Sequence, residues 1–321
     1  MRVLFMGTPD FAANTLRAIV EHGHEVVGVV TQPDKPKGRG KEMAFSAVKE
    51  EALKLGLSVL QPPKVREEAV VEELRALSPE VIVVVAFGQI LPQSLLDIPP
   101  YGCVNVHASL LPAYRGAAPI QWAVIDGLKE TGVTTQLMNA GLDTGDILLQ
   151  SVRTLASKET GGSLFDALSE DGAKLLLQTL EGLEAGTITP VPQDESKSSY
   201  AKKLTKDLGN LDFTMDAASL DCLIRGLNPW PSAYTYYQGK TLKIWDVDVI
   251  LENQAEEYGI AAGDTTPGSI AAVTKDTIVV ACGSGYLAIR ELQLEGKKRM
   301  DTRSFLLGTK ISTGEKLCRE R

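Results

Sequence analysis

The chain has 321 residues and a formal net charge of −8, with 44% hydrophobic and 23% charged residues. That is the profile of an ordinary globular protein of about two domains. No apolar run reaches the roughly 18 residues of a membrane span and no signal-peptide pattern precedes the first strand-like segment, while four scattered cysteines without a C-x-x-C pair speak against a zinc ribbon or a disulfide framework. A cytoplasmic, monomeric chain with reduced thiols is expected. The acidic balance argues against general nucleic-acid binding, so any such contact must come from local basic clusters.

In chain order, Val3 to Met6 is an apolar run that predicts a first strand. Gly7-Thr8-Pro9 follows, with Thr8 expected to cap a helix and Pro9 to take its first position. Ala12, Leu16, Ile19 and Val20 mark that helix's apolar face, and Gly23 ends it. The two further glycines of a dinucleotide-binding fingerprint are missing, which speaks against a nicotinamide enzyme. Residues 25–31 read as the next strand. Residues 32–41 contain Pro33, Pro36, Gly38 and Gly40, which exclude a helix or a central strand. This segment carries Lys35, Lys37, Arg39 and Lys41 against the single acid Asp34. It reads either as a solvated surface loop or as a basic arm for phosphate. Helices are predicted over 45–55 and 65–77, and strands over 81–87 and 102–107. The run from Val81 is continuous and β-branched, as in a strand buried on both faces. This alternation predicts a parallel sheet wrapped by helices, with its site outside the carboxyl ends of the strands.

Asn105 and His107 lie two apart at the end of the last of these strands and so share one side. An amide donor beside an imidazole suits acyl transfer, where one group holds a developing oxyanion and the other manages a proton. A third group should orient the imidazole. The candidates are the carboxylates of Gly141-Leu142-Asp143-Thr144-Gly145-Asp146. Beyond them, residues 147–155 read as a strand. Ser163 and Asp166 have the spacing of a capping box, opening a helix to about residue 183 on Leu164, Leu168, Leu175, Leu176 and Leu180. Residues 186–199 are polar, contain Pro190 and Pro192 and lack periodicity, as a linker does. A helix over 216–226 and short strands over 234–237, 241–249, 268–273, 277–281 and 287–294 predict a small barrel or sandwich. Two further basic clusters are Lys197, Lys202, Lys203 and Lys206, and Lys297, Lys298, Arg299 and Arg303.

Asn105-x-His107-x-Ser109-Leu110-Leu111-Pro112, followed by Arg115-Gly116 and Asp143-x-Gly145, resembles the signature of the folate-dependent formyltransferases. Gly7-Thr8-Pro9-x-Phe11, the basic segment and the C-terminal region bring the chain close to the bacterial branch that acts on methionyl-tRNA. The resemblance implies a Rossmann-like catalytic domain over 1–189, a linker over 190–205 and an OB-like domain over 206–321 that binds tRNA. It also implies that Asn105, His107 and Asp143 are catalytic, Asp143 being preferred to Asp146. Ser109, Leu110, Leu111 and Pro112 would bind 10-formyltetrahydrofolate, with no metal. Lys35, Lys37, Arg39, Lys41, Lys202, Lys203 and Lys206 would hold the phosphates of an initiator methionyl-tRNA. Glycinamide ribonucleotide formyltransferases and nucleotide-sugar formyltransferases share the same three residues and remain alternatives, as does a formyltetrahydrofolate hydrolase with water as acceptor; the intact Asn105, His107 and Asp143 set argues against an inert tRNA- or folate-binding module.

Overall fold

The structure, a computed structural model, describes residues 1–37, 42–260 and 266–321. It divides into two compact units. Met1–Pro119, Glu130–Thr154 and Phe165–Ala201 form the first, and Ile120–Lys129, Leu155–Leu164 and Lys202–Arg321 form the second.

β1 (Arg2–Gly7) leads into α1 (Asp10–Glu21) and β2 (Glu25–Val30). The start of α1 differs from expectation. Pro9 is the N-cap residue, and the Thr8 hydroxyl donates instead to the Phe87 carbonyl at 3.2 Å. Proline presets the extended entry, and the hydroxyl bonds a neighbouring strand end rather than the helix. β3 (Lys35–Lys37) and β4 (Glu42–Ala44) pair antiparallel, so the described part of the basic segment is a short hairpin rather than a plain loop. Of the segment's two prolines only Pro36 lies in a strand, and a two-stranded pair apart from the main sheet tolerates it. Arg39 and Lys41 lie outside the described residues.

The unit continues through α2 (Ala47–Lys54), β5 (Val59–Leu60), α3 (Glu68–Ala76), β6 (Val81–Val85), α4 (Gln93–Leu96), β7 (Cys103–His107) and β8 (Arg115–Gly116). After α5 (Pro119–Ile125), which from Ile120 on belongs to the second unit, come β9 (Glu130–Leu137), β10 (Asp146–Thr154), α6 (Gly161–Glu184), whose first turn to Leu164 also belongs to the second unit, and β11 (Tyr200–Ala201). The main sheet has the order β10-β9-β7-β6-β1-β2-β5. β7, β6, β1, β2 and β5 are parallel, as predicted, whereas β9 and β10 are antiparallel additions at one edge. All five residues of β6 are buried, Ile82 and Val84 packing with Leu4, Met6, Leu74 and Leu95. The capping box of α6 sits three residues earlier than predicted. Thr160 Oγ1 accepts from the Ser163 amide at 3.0 Å, and Ser163 Oγ accepts from the Thr160 amide at 2.9 Å.

In the second unit α7 (Ala217–Gly226) is capped by Asp216, whose side chain accepts from the Ser219 amide at 2.9 Å. β12 (Ala233–Tyr237), β13 (Lys240–Ile250), β14 (Ile270–Val273), β15 (Ile278–Ala281) and β16 (Tyr286–Leu294) form an antiparallel sheet in the order β12-β13-β16-β15-β14. β17 (Met300–Asp301) pairs with β16, and α8 (Thr302–Gly308) follows. Among the described residues no helix is long and apolar enough to cross a membrane.

Candidate active site

β7 pairs antiparallel with β9, setting Asn105 opposite Gln136 and His107 opposite Thr134. Opposed residues share a face, so these four polar side chains lie on one side of the sheet. The other side is covered by α6, where Thr179 bonds Thr135 at 2.8 Å and Gly172 lets Val106 approach closely. That cover leaves the alternating polar residues facing the site. Asn105 and His107 are 9% and 7% exposed. The Asn105 amide has no hydrogen-bond partner among the described residues.

His107 ends β7 at the sheet's carboxyl edge. Its Nε2 lies 2.9 Å from the Tyr114 carbonyl and its Nδ1 lies 3.6 Å from Asp143 Oδ1. A carbonyl can only accept, so Nε2 carries a proton. The distance to Asp143 exceeds a good hydrogen bond, which leaves Nδ1 with capacity for another oxygen. The Asp143 carboxylate is held by donors from two strands: the Gly116 amide of β8 donates to Oδ2 at 2.8 Å and Gln136 Nε2 of β9 to Oδ1 at 3.2 Å. Gly145 has no alternative, since a Cβ there would lie 1.9 Å from the Leu137 carbonyl oxygen. Asp146 instead opens β10, opposite Leu137.

The segment after β7 is fixed by Thr134. Its hydroxyl donates to the Ser109 carbonyl at 2.7 Å and accepts from the Leu111 amide at 3.0 Å and from Gln150 Nε2 at 2.9 Å. Gln150 also donates to the Leu111 carbonyl at 2.9 Å. The Ser109 hydroxyl is committed to the Ala113 carbonyl at 2.7 Å, so this serine shapes the loop from inside. Leu110 and Pro112 keep partly exposed apolar surface, while Leu111 is buried. A cavity of about 360 Å³ at the ends of β2 and β6 is lined by Gln32, Lys64, Arg66, Gln89 and Ile90, among others.

The structure brings Asn105, His107 and Asp143 into one site with the Ser109-to-Pro112 loop. Thr134, Gln136, Gln150 and Gln193 are additions that the sequence reading missed. Buried Thr and Gln two apart in β9 carry a faint signal in their alternation; Gln193, in an irregular stretch after Pro192, carries none. Residues 190–205, read as a linker, are bonded into the first unit as far as Ala201, through the parallel pairing of β11 with β8 and Ser199 contacts to Tyr114 and Arg115. Arg115 is buried and bonded to Glu195, whose carboxyl it holds below the usual carboxylate range. Lys35, Lys202, Lys203 and Lys206 are exposed. Among the described residues no cluster of three or more His, Cys, Asp or Glu could hold a metal ion.

Residues 1–180 match the formyl transferase family and residues 203–310 match the formyl transferase C-terminal domain, and the chain belongs to this family. A methionyl-tRNA formyltransferase of Lachnospira eligens is 62% identical over 317 residues, covering 98% of both chains. The enzyme of the same name from Agathobacter rectalis is 54% identical over 314 residues, again covering 98% of both. Among solved structures, WlaRD, a sugar 3N-formyl transferase studied with dTDP and 5-N-formyl-THF, aligns with a TM-score of 0.64 at 16% identity, over 93% of this chain and 99% of its own. HypX from Aquifex aeolicus in complex with tetrahydrofolic acid aligns with a TM-score of 0.61 at 17% identity, over 98% of this chain and 50% of its own. This chain thus spans about half the length of HypX, and at such identities the likeness is one of fold.

Proposed function

We propose that this chain transfers the formyl group of 10-formyltetrahydrofolate to the amino group of methionine on initiator tRNA, giving N-formylmethionyl-tRNA and tetrahydrofolate. The observation that carries this reading is the convergence of Asn105, His107 and Asp143 at the end of β7, in a chain 47–62% identical to methionyl-tRNA formyltransferases over nearly its full length. The amine nitrogen bonds to the formyl carbon, and the carbonyl electron pair moves to oxygen. The unpartnered Asn105 amide donates to that oxyanion, and the His107 imidazole faces it. Collapse breaks the bond from carbon to N10. The attacking amine loses one proton and N10 gains one, with Asp143 and His107 carrying it directly or through water.

The folate is placed along Leu110, Leu111 and Pro112, on the loop that Ser109 and Thr134 shape. Lys64 and Arg66 in the neighbouring cavity suit its carboxylates. Lys35, Lys37, Arg39 and Lys41, with Lys202, Lys203 and Lys206, are assigned to tRNA phosphates. Such contacts position a nucleic acid without reading its sequence. A reaction on aminoacyl-tRNA belongs in the cytoplasm. The test is to incubate the protein with 10-formyltetrahydrofolate and, separately, initiator methionyl-tRNA, glycinamide ribonucleotide, an amino-sugar nucleotide or no acceptor. Formylated methionyl-tRNA is expected. Preferred formylation of another acceptor, or formate release without one, would overturn the reading.

A further inference from the structure

Asp143 has a positive φ of 52°, a conformation that a non-glycine residue keeps only when its surroundings hold it. The holding is done from outside the loop. Gln193 Nε2 donates to the Asp143 carbonyl at 2.9 Å and to the Gly145 carbonyl at 2.6 Å, pinning the backbone on both sides of Thr144. Its other end is gripped by Arg115, whose Nε and Nη2 donate to Gln193 Oε1 at 3.0 and 2.7 Å. The same guanidinium spans to Glu195 with contacts of 2.9 and 2.7 Å. Arg115 is 0% exposed. A guanidinium offers only donors and a carbonyl only accepts, so the Gln193 amide has one workable orientation. Reversing it would set Nε2 against the guanidinium and Oε1 against two carbonyl oxygens.

We propose that Gln193 and Arg115 are positioning residues for the reaction, a brace that holds the Asp143 carboxylate against His107. The brace rests on the reading of Asp143 given above. It also explains a buried arginine for which the transfer chemistry has no direct use. Arg115 is in addition the residue between the Tyr114 carbonyl that faces His107 and the Gly116 amide that faces Asp143, so loosening it disturbs both neighbours.

The experiment measures kcat, KM for each substrate and thermal melting for Gln193→Ala, Gln193→Glu, Arg115→Lys and Asp143→Asn. It adds the double variant Gln193→Ala/Asp143→Asn. Misplacing a reacting group by about 1 Å can cost on the order of 10²-fold in rate. Gln193→Ala is therefore expected to lower kcat about 10- to 100-fold, with both KM values within about 2-fold of wild type. Gln193→Glu, nearly the same shape, is expected to fall as far, because its second oxygen meets the two carbonyls. Arg115→Lys, which cannot span both partners, should also fall. In the double variant the brace has no carboxylate left to position, so Gln193→Ala should add less than about 3-fold to the loss from Asp143→Asn. Losses that multiply instead, or wild-type kcat in folded Gln193→Ala while Asp143→Asn is nearly inactive, would overturn the brace alone. Full activity in Asp143→Asn would remove the reading of Asp143 and the purpose of the brace with it. If Gln193→Ala does not fold, Gln193→Glu and Arg115→Lys decide by the same split of kcat from KM.

Discussion

At His107 the two ring nitrogens face different oxygens, one a main-chain carbonyl and one a carboxylate. His107→Ala and Asn105→Ala are each expected to lower kcat by about 10²–10³, the usual cost of an oxyanion partner, with melting close to wild type. Asp143→Asn should cut turnover to a small but measurable residue across the pH range, while Asp146→Asn, at the start of β10, should leave it largely intact; pH–rate profiles of the two variants decide, and the reverse ranking would assign the wrong carboxylate. Thr134→Val keeps shape but removes a hydroxyl that serves three partners. A buried polar group left unpaired costs about 1–3 kcal/mol, so a lower melting temperature and a raised folate KM are expected together. Asn105, His107 and Asp143 were legible in the sequence because a short motif carries two of them and a glycine-bounded loop the third. Thr134, Gln136 and Gln193 were not, because a threonine or glutamine gives no sign of which carbonyl it will meet until the chain is folded.

Among the elements, the apolar or alternating strands were legible, from Val81–Val85 in the parallel sheet to Tyr286–Leu294 in the antiparallel one. Glu130–Leu137 escaped notice because its buried positions include Thr131, Thr134, Thr135 and Gln136, which read as surface in a sequence. The hairpin of β3 and β4 shows what prolines and glycines alone conceal. Its base is tied by Lys49 Nζ to Asp34 Oδ2 at 2.5 Å and to Gln61 Oε1 at 2.8 Å, while Gln61 Nε2 reaches Asp34 Oδ1 at 2.8 Å. Lys49→Met should release that base, losing with it the ammonium that sits over the Phe45 ring. A raised KM for tRNA with an unchanged KM for folate is expected. Lys35→Ala should lower the log–log salt slope of tRNA binding by about one unit. Equal slopes in Lys35→Ala and wild type would show that this hairpin grips no phosphate.

Across the molecule, several carboxylates are held below their ordinary range. The Arg17 hydrogen bond does this for Glu51, the Arg115 hydrogen bond for Glu195, and hydroxyl and amide donors for Asp212 and the caps Asp216 and Asp301. A group whose pKa is lower folded than unfolded stabilises the fold above its unfolded value, and that contribution is lost as pH falls through the folded one. Melting temperature is therefore expected to be flat through neutral pH and to fall below about pH 4, the ordinary carboxylate range. Asp246, raised by burial, runs the other way, so Asp246→Asn should not lower the neutral melting temperature. A scan of melting against pH tests both signs.

The pairing of β11 with β8 also fixes where this protein can be cut and rejoined. Composition places the seam near residue 190, yet Gln193, Glu195, Ser199 and Ala201 are all fastened to the first unit. A chimera joined at 190 would import foreign side chains into the fastening of the Asp143 loop. One joined after Ala201 would exchange residues 202–321 and leave the Asp143 loop with its own fittings. Recombination between relatives is thus expected to succeed at a seam about a dozen residues later than the prolines advertise, a spacing set by side-chain hydrogen bonds rather than by flexibility.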